Sequence, residues 1–336
     1  MTVDELHAAL RSGFLTPEQS AALTLSEWLK GNATGTTALH LAAKYGLLPR
    51  LPAGLVTEQS LLLKNDSGYT PLHHAALNGH LNQVPIEFLR ENLLSARSNS
   101  GYTVFHVAAA SGHLDQIPAQ LLTLERIKTA TDLGNSLLHE AAENGALDRF
   151  PRALLNAEVL AAKNASGETV YHVAALNGNL RQIPSEFLTP DTLLAKTASG
   201  DTVLHAAALS GGLEQIPAKL LTKSNLILSS RSGYTVIHAA AETGQLAKIP
   251  REALTGDLLL TRNDHGDTAM HAAAFEGHLN QLPPEIITEA LLNTRNYGGV
   301  TPLHIAINRG FIEQIPLEFR PKPPSAWKRF LAKLGF

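Results

Sequence analysis

Cysteine is absent from this 336-residue chain, so neither disulfides nor thiolate chemistry are available to it. A chain without cysteine suits a reducing cytoplasm. No apolar run approaches the roughly 18 to 20 residues that are needed to span a bilayer. The N-terminus carries Asp4 and Glu5 without a cationic start, so we expect no classical signal peptide. We therefore expect a cytoplasmic location, and secretion by a route without such a peptide stays open.

Charge is also scarce. Charged residues make up 17% of the chain and the net charge is −3, which favours neither disorder nor bulk attraction to nucleic acid. The distribution is uneven, because residues 320 to 336 carry five cations and no acid. The C-terminal end is therefore basic, while the rest of the chain is acidic.

One regularity dominates what is present: a histidine returns every 33 residues without a slip in register. A fixed period of this length indicates one structural unit that is copied and stacked. We therefore expect function in the surface of the stack rather than in one pocket. The members of this histidine column are His7, His40, His73, His106, His139, His172, His205, His238, His271 and His304.

Other positions are constant from the copy at His40 onward. Glycine stands five residues before the histidine and six residues after it, a hydroxyl residue stands three before it, and alanine stands two after it. The copies GYTPLHHAALNG (68–79) and GVTPLHIAINRG (299–310) show the pattern most clearly.

This pattern resembles the ankyrin repeat in both its GxTPLHxAAxxG signature and its length of 33 residues. Nine full copies cover residues 33 to 320. The resemblance implies an all-α repeat solenoid, in which short hairpin or loop fingers and helix pairs stack in an elongated, curved array. It also implies a non-catalytic scaffold that binds another protein through a concave face. We expect a monomer without cofactor, metal or nucleic acid.

The constant residues have local physical reasons. Thr70 and Pro71 form a helix start, because the hydroxyl can accept a backbone N–H and proline at the first helical position needs no donor. The helix should run to about Asn78, where Gly79 supplies a left-handed residue that ends it. The apolar residue before each histidine should point into the core: Leu39, Leu72, Phe105, Leu138, Tyr171, Leu204, Ile237, Met270 and Leu303.

The second half of each copy departs from the family. Proline falls twelve residues after the histidine in every full copy, as at Pro85. Because proline inside a helix costs about 3 kcal/mol, a new short helix should begin there, as in QIPSEFL (182–188). A second start signal such as Thr189-Pro190 often follows. We therefore expect two short helical pieces in place of one long second helix.

The ends of the array are interpreted as caps. Residues 1–32 are a degenerate N-terminal capping repeat, which a helix starting near Thr16 should close. Residues 33–320 hold the nine ankyrin-like repeats without a linker. Residues 321–336 form a basic amphipathic helix, in which Ser325 can cap the first turn.

The C-terminal helix has two interpretations. Trp327 and Phe330 can dock on the last repeat as a cap, which is the preferred interpretation. Alternatively, its apolar face could lie on an anionic membrane with Lys328, Arg329 and Lys333 at the headgroups, or could enter a partner's groove. This alternative makes the protein a membrane-associated adaptor or secreted effector that the helix targets.

Several features resemble chemical sites. Consecutive column histidines should lie roughly 10 Å apart. This is too far for them to share a zinc ion, whose bonds measure about 2.0 to 2.1 Å, so we assign the histidines structural hydrogen bonds.

The sequons at Asn32, Asn65 and Asn164 share one turn position and reflect turn chemistry. Glu140 is an odd charge near the core, either a specificity point or a tolerated defect. No catalytic motif appears outside the repeats, so we expect no enzyme.

The candidate binding residues vary while the frame stays fixed. By resemblance, they lie beside the first glycine and before the second glycine of each copy. Apolar and aromatic side chains with neighbouring amides are typical of protein-recognition surfaces, although the leucines could instead pack under the adjoining hairpin. The candidates, here called the face residues, are Tyr45, Tyr69, Leu77, Asn78, Tyr102, Leu176, Asn177, Leu209, Tyr234 and Phe275.

Overall fold

A computed structural model describes residues 2–12, 16, 20, 23–52 and 54–321. The chain divides into two compact units, Met1–Ala198 (unit 1) and Ser199–Phe336 (unit 2). We number the repeats 1 to 9 from the copy with His40 to the copy with His304, so that unit 1 holds repeats 1 to 5. The described residues form helices and turns, with isolated β-bridges such as Ala130 to Ser136 in place of strands.

Each repeat begins with a helix of seven or eight residues, as the sequence predicts. In repeat 2 this first helix is Pro71–Leu77, and Thr70 before it has an extended backbone. Gly79 follows with φ of 73°, a left-handed conformation that favours glycine. The first helices are Ala38–Lys44, Pro71–Leu77, Val104–Ala110, Leu137–Asn144 and Val170–Leu176 in unit 1, and Val203–Leu209, Val236–Glu242, Ala269–Glu276 and Pro302–Asn308 in unit 2.

The second half of a repeat contains more pieces than the sequence predicts. In repeat 2, the helical turn Leu81–Gln83 precedes Pro85, the turn Ile86–Phe88 follows it, and the helix Glu91–Leu94 comes last. Pro85 itself stands before the first helical residue, with φ of −53°. The prediction of two pieces after the proline is therefore confirmed here, and the turn before it was not predicted.

The remaining short elements follow the same order. The four- or five-residue second helices are Glu58–Leu61, Glu91–Leu94, Leu124–Ile127, Ala157–Leu160, Pro190–Leu193, Lys223–Leu226, Gly256–Leu259 and Glu289–Asn293. The 3-10 turns before the recurring proline are Leu48–Arg50, Leu81–Gln83, Leu114–Gln116, Leu147–Arg149, Leu180–Gln182, Leu213–Gln215, Leu246–Lys248, Leu279–Gln281 and Ile312–Gln314. Those after it are Ile86–Phe88, Ala119–Leu121, Arg152–Leu154, Ser185–Phe187, Ala218–Leu220, Pro284–Ile286 and Leu317–Phe319.

The first helices of successive repeats pack against one another within each unit. Leu72 is fully buried, and so are Ala75 and Ala76 on the same helix. The small alanines allow close approach, and burying one leucine side chain contributes about 1.5 to 3 kcal/mol. The predicted core column is buried from repeat 1 to repeat 8, whereas Leu303 in repeat 9 is half-buried.

The N-terminal segment packs on repeat 1, within unit 1. Helix Val3–Ser12 contacts helix Ala38–Lys44 and buries Leu6 and Leu10. Helix Leu25–Leu29 also contacts the first helix of repeat 1 and buries Trp28. Thr24 caps this helix, because its hydroxyl and the Glu27 side chain form a reciprocal capping box.

Several predictions fall on residues outside the described part of the chain. They include residues 17–19 and 21–22 of the helix that is predicted to start near Thr16. The whole C-terminal helix also lies outside it, including Trp327, Lys328, Arg329, Phe330 and Lys333. Within the described residues, no helix has the length and apolar character needed to cross a membrane.

Candidate functional site

Most column histidines between His40 and His271 join their repeat to the next through a carbonyl contact of Nε2. Nε2 of His106 and of His172 contacts the carbonyl of Thr129 and of Ala195 instead, each near the end of the same repeat. In repeat 2, Nδ1 of His73 accepts the Thr70 backbone N–H at 3.1 Å and lies 2.8 Å from the Thr70 hydroxyl. Nε2 of His73 lies 3.1 Å from the carbonyl oxygen of Tyr102 in repeat 3. A backbone N–H can only donate and a carbonyl can only accept, so the ring is the neutral tautomer with its proton on Nε2. This geometry supports the predicted structural role.

Burial keeps these rings neutral. Loss of hydration lowers the pKa of His73 and of His106 to about 4. Burial likewise lowers the pKa of His40, His139 and His238. These five rings are therefore uncharged at neutral pH.

The recurring hydroxyl and histidine superficially resemble a nucleophile with its base. In repeat 2, however, Thr70 and His73 are both fully buried, so substrate has no access to them. The second ring nitrogen is committed to a carbonyl of the next repeat rather than to an orienting carboxylate. The pair therefore caps a helix and bridges two repeats.

The other histidines do not form a metal centre within the described residues, where no group of three or more potential ligands occurs. His74 packs edge-on against His40 with ring centroids 5.5 Å apart. Nδ1 of His278 lies 3.2 Å from the carbonyl oxygen of Ala241 in the preceding repeat. Both side chains thus contact neighbouring repeats.

The sequon asparagines close turns, as predicted. The Asn65 side-chain oxygen accepts the backbone N–H groups of Ser67 and Tyr69, at 3.1 and 3.0 Å. Asn164 does the same with Ser166 and Glu168, at 3.0 Å each.

A glutamine that recurs ten residues after the column histidine was not predicted to have a structural role. Gln116 of repeat 3 accepts the Leu81 N–H at 2.9 Å and donates to the Gly79 carbonyl at 2.9 Å. Gln182 of repeat 5 makes the same pair of bonds to Leu147 and Gly145. The signal was in the sequence, because glutamine recurs at this position in six repeats: Gln83, Gln116, Gln182, Gln215, Gln281 and Gln314.

The face residues of unit 1 differ in their exposure. Leu77 and Leu176 end the first helices of repeats 2 and 5, and their exposed fractions are 51% and 47%. About half of each leucine side chain is therefore open to solvent. Tyr69 and Tyr102, which as face residues were expected to be exposed, are half-buried and pack against His73 and His106 with centroid distances of 5.0 and 6.1 Å.

The face residues Asn78, Asn177 and Tyr45 also make contacts within the chain. Asn78 donates to the His74 carbonyl at 2.8 Å, and Asn177 donates to the Val173 carbonyl at 2.9 Å. These bonds satisfy the last turn of each helix. Tyr45 is half-buried, and the Lys44 ammonium lies 5.6 Å from its ring centroid.

Glu140 is a buried carboxyl beside Tyr102 in unit 1. It is 2% exposed, and burial raises its pKa. The Asn135 amide donates to it at 3.0 Å, and Asn164 in turn donates to the Asn135 oxygen at 3.0 Å. The pKa of Tyr102 is raised mainly by its burial, and the nearby Glu140 raises it further. Glu140 is thus a hydrogen-bonded member of a polar network, and its role as a specificity point stays a prediction.

In unit 2 the face residues are Leu209, Tyr234 and Phe275. Leu209 and Phe275 are 42% and 47% exposed, while Tyr234 is half-buried and stacks on His238 with centroids 5.4 Å apart. Tyr234 also donates its hydroxyl hydrogen to Glu242. Tyr234 and Phe275 line a cavity of about 250 Å³ on repeats 7 to 9.

Comparison with known families gives one match. Residues 39–119 match a family model for ankyrin repeats, in three copies. The chain has no significant match among curated proteins. The matched segment begins in repeat 1 and ends in repeat 3, and the same residue pattern continues to His304.

Proposed function

Because the chain is an ankyrin repeat protein, we propose that it is a non-catalytic scaffold which binds another protein through its face residues. Ankyrin repeats in general are protein interaction modules, and the family is typically non-enzymatic. The binding surface runs along the hairpin ends and the C-terminal ends of the first helices, which we expect to line the concave face.

The observation that carries this proposal is the exposure of large apolar side chains at one repeat position. Leu77 and Leu176 stand four residues after the column histidine in unit 1, as do Leu209 and Phe275 in unit 2. Each lies at or near the end of its first helix, on a rigid element held by the histidine and glutamine bonds. Recurrent exposed apolar groups on a rigid frame are characteristic of recognition surfaces.

The tyrosines contribute in a different way. Tyr69 and Tyr102 are half-buried and pack against histidine rings, so they meet a partner with their side chains already ordered. Ordered aromatic side chains lose little entropy on binding. Truncating them would also remove packing from the fold, so they are poor probes of binding alone.

The test replaces Leu77 and Leu176 with alanine together and captures partners from a lysate of the source cells. Full burial of a leucine contributes about 1.5 to 3 kcal/mol, and about half of each side chain is still exposed. The two leucines together should therefore contribute about 2 kcal/mol, or roughly thirtyfold in Kd. Proteins that wild type retains should be lost from the double variant.

Ile86→Ala is the matched control, because Ile86 is 70% exposed on the turn after Pro85 rather than on the proposed surface. Circular dichroism checks that both variants keep the fold. Capture of the same partners by the Leu77→Ala/Leu176→Ala variant would refute the proposal for unit 1.

A further inference from the structure

The cavity on repeats 7 to 9 combines aromatic and acidic walls. It is lined by the rings of Tyr234 and Phe275 and by the carboxylates of Glu242, Asp267 and Glu276. Glu242 and Glu276 are exposed, and Phe275 keeps 47% of its surface accessible. A group arriving from solvent can therefore reach both kinds of wall.

The lining has a net negative charge. The three carboxylates contribute −3, and no lysine or arginine is among the described residues that line the cavity. Burial lowers the pKa of both lining histidines, His238 and His271, so neither adds a positive charge at neutral pH. The field in the cavity therefore favours a cation.

An arginine of the chain already contacts the aromatic wall of the cavity. The guanidinium of Arg309 lies 3.8 Å from the centroid of the Phe275 ring, and its Nε donates to the Phe275 carbonyl at 2.8 Å. A distance below about 6 Å gives a favourable cation–π contact. The three lining carboxylates outnumber the two nearby positive charges, which are Arg309 at the Phe275 ring and Arg262, whose charge acts on His271.

The size of the cavity restricts its occupant. Sites that enclose drug-sized ligands measure roughly 300 to 1,000 Å³, and this cavity of about 250 Å³ is smaller. A single long side chain fits such a volume better than a cofactor does. Arginine matches both walls, because its planar group stacks on aromatic rings and pairs with carboxylates in a fixed geometry.

We propose that this cavity binds an arginine side chain presented by the partner protein. The inference rests on the proposed function, since it specifies the chemistry of the partner at one point of the face. It is tested independently of any partner, with N-acetyl-arginine amide as the probe. N-acetyl-lysine amide and the neutral isostere N-acetyl-citrulline amide are the comparison compounds.

The probe is titrated into the full-length protein to millimolar concentration and followed by NMR chemical shifts. We expect shifts in the residues lining the cavity with the arginine compound, several-fold weaker binding of the lysine compound, and no response to citrulline. Phe275→Ala and Glu276→Gln should each weaken arginine binding by about fivefold to tenfold. Ile227→Ala and Glu214→Gln are the matched controls, because both residues are exposed in unit 2, neither is a face residue and neither lines the cavity.

Absence of shifts with the arginine compound, an equal response to citrulline, or binding unchanged in both cavity variants would overturn the inference. The failure of this inference and that of the proposed function can be told apart. If the leucine variant of unit 1 still loses its partners while arginine does not bind, only this inference fails. If arginine binds but the leucine variant keeps its partners, the proposed function fails for unit 1.

Discussion

Replacing His73 with glutamine removes one of the buried rings that hold successive repeats together. His73 is fully buried, accepts the Thr70 N–H through Nδ1, and donates through Nε2 to the Tyr102 carbonyl. Glutamine can reproduce the second bond, but it leaves the Thr70 N–H without its acceptor. An unsatisfied buried donor costs about 1 to 3 kcal/mol, and we expect the free energy of unfolding at pH 7 to fall by that amount.

The substitution should also change the pH dependence of stability. The pKa of His73 is about 4 in the folded chain, against about 6.5 for an unfolded histidine. Between these values the unfolded state binds a proton that the folded state does not. Stability is therefore complete above pH 6.5 and falls as pH drops toward 4. At about 1.4 kcal/mol per pH unit, this one ring costs about 2 kcal/mol between pH 6.5 and pH 5.

Urea denaturation of the wild type and His73→Gln at pH 7 and pH 5, followed by circular dichroism, measures this effect. The wild type should lose about 2 kcal/mol more than the variant does between the two pH values. Glu140 has a raised pKa and contributes a pH dependence of opposite sign, but it is present in both proteins and cancels in the difference. Equal pH dependence in the two proteins would refute the assignment of His73 as a neutral bridging ring.

Four further substitutions test the frame, the last as a comparison for the third. Gln116→Ala should cost about 1 to 3 kcal/mol in urea denaturation, since the Leu81 N–H and Gly79 carbonyl lose their partner; no change would mean water replaces the side chain. Gly68→Ala should destabilise the hairpin, because φ is 77° and a Cβ would lie 2.5 Å from the Asn99 backbone nitrogen; an unchanged thermal midpoint would contradict this. Leu72→Ala should cost about 2 to 5 kcal/mol in urea denaturation, whereas Leu77→Ala should cost under about 1 kcal/mol; equal losses would contradict the core assignment.

The repeat frame was predictable because each of its residues solves a local problem. The hydroxyl before Pro71 starts a helix, Gly79 ends it, and the period of 33 residues shows that neighbours repeat the same solution. Stacking of the first helices within each unit followed from these facts. The three-piece second half was only partly predictable, since nothing local marks the 3-10 turn before Pro85.

The site was less predictable because exposure depends on neighbours in the stack. Sequence gives Tyr69 and Leu77 the same apolar character, yet Tyr69 turns onto His73 and becomes half-buried while Leu77 points to solvent. The cavity at Tyr234 and Phe275 needs side chains from three repeats, and their juxtaposition appears only in three dimensions. The boundaries of the capping and repeat segments stay predictions.

Photo-crosslinking from position 77 tests the central claim most directly. A photoreactive benzoylphenylalanine replaces Leu77 in one sample and Ile86 in another, so that both probes occupy exposed apolar positions of repeat 2. Irradiation in a lysate of the source cells should give a discrete adduct with another protein from position 77 and none of the same mass from position 86. Equal adducts from both positions, or an adduct from position 86 alone, would contradict binding through the face residues.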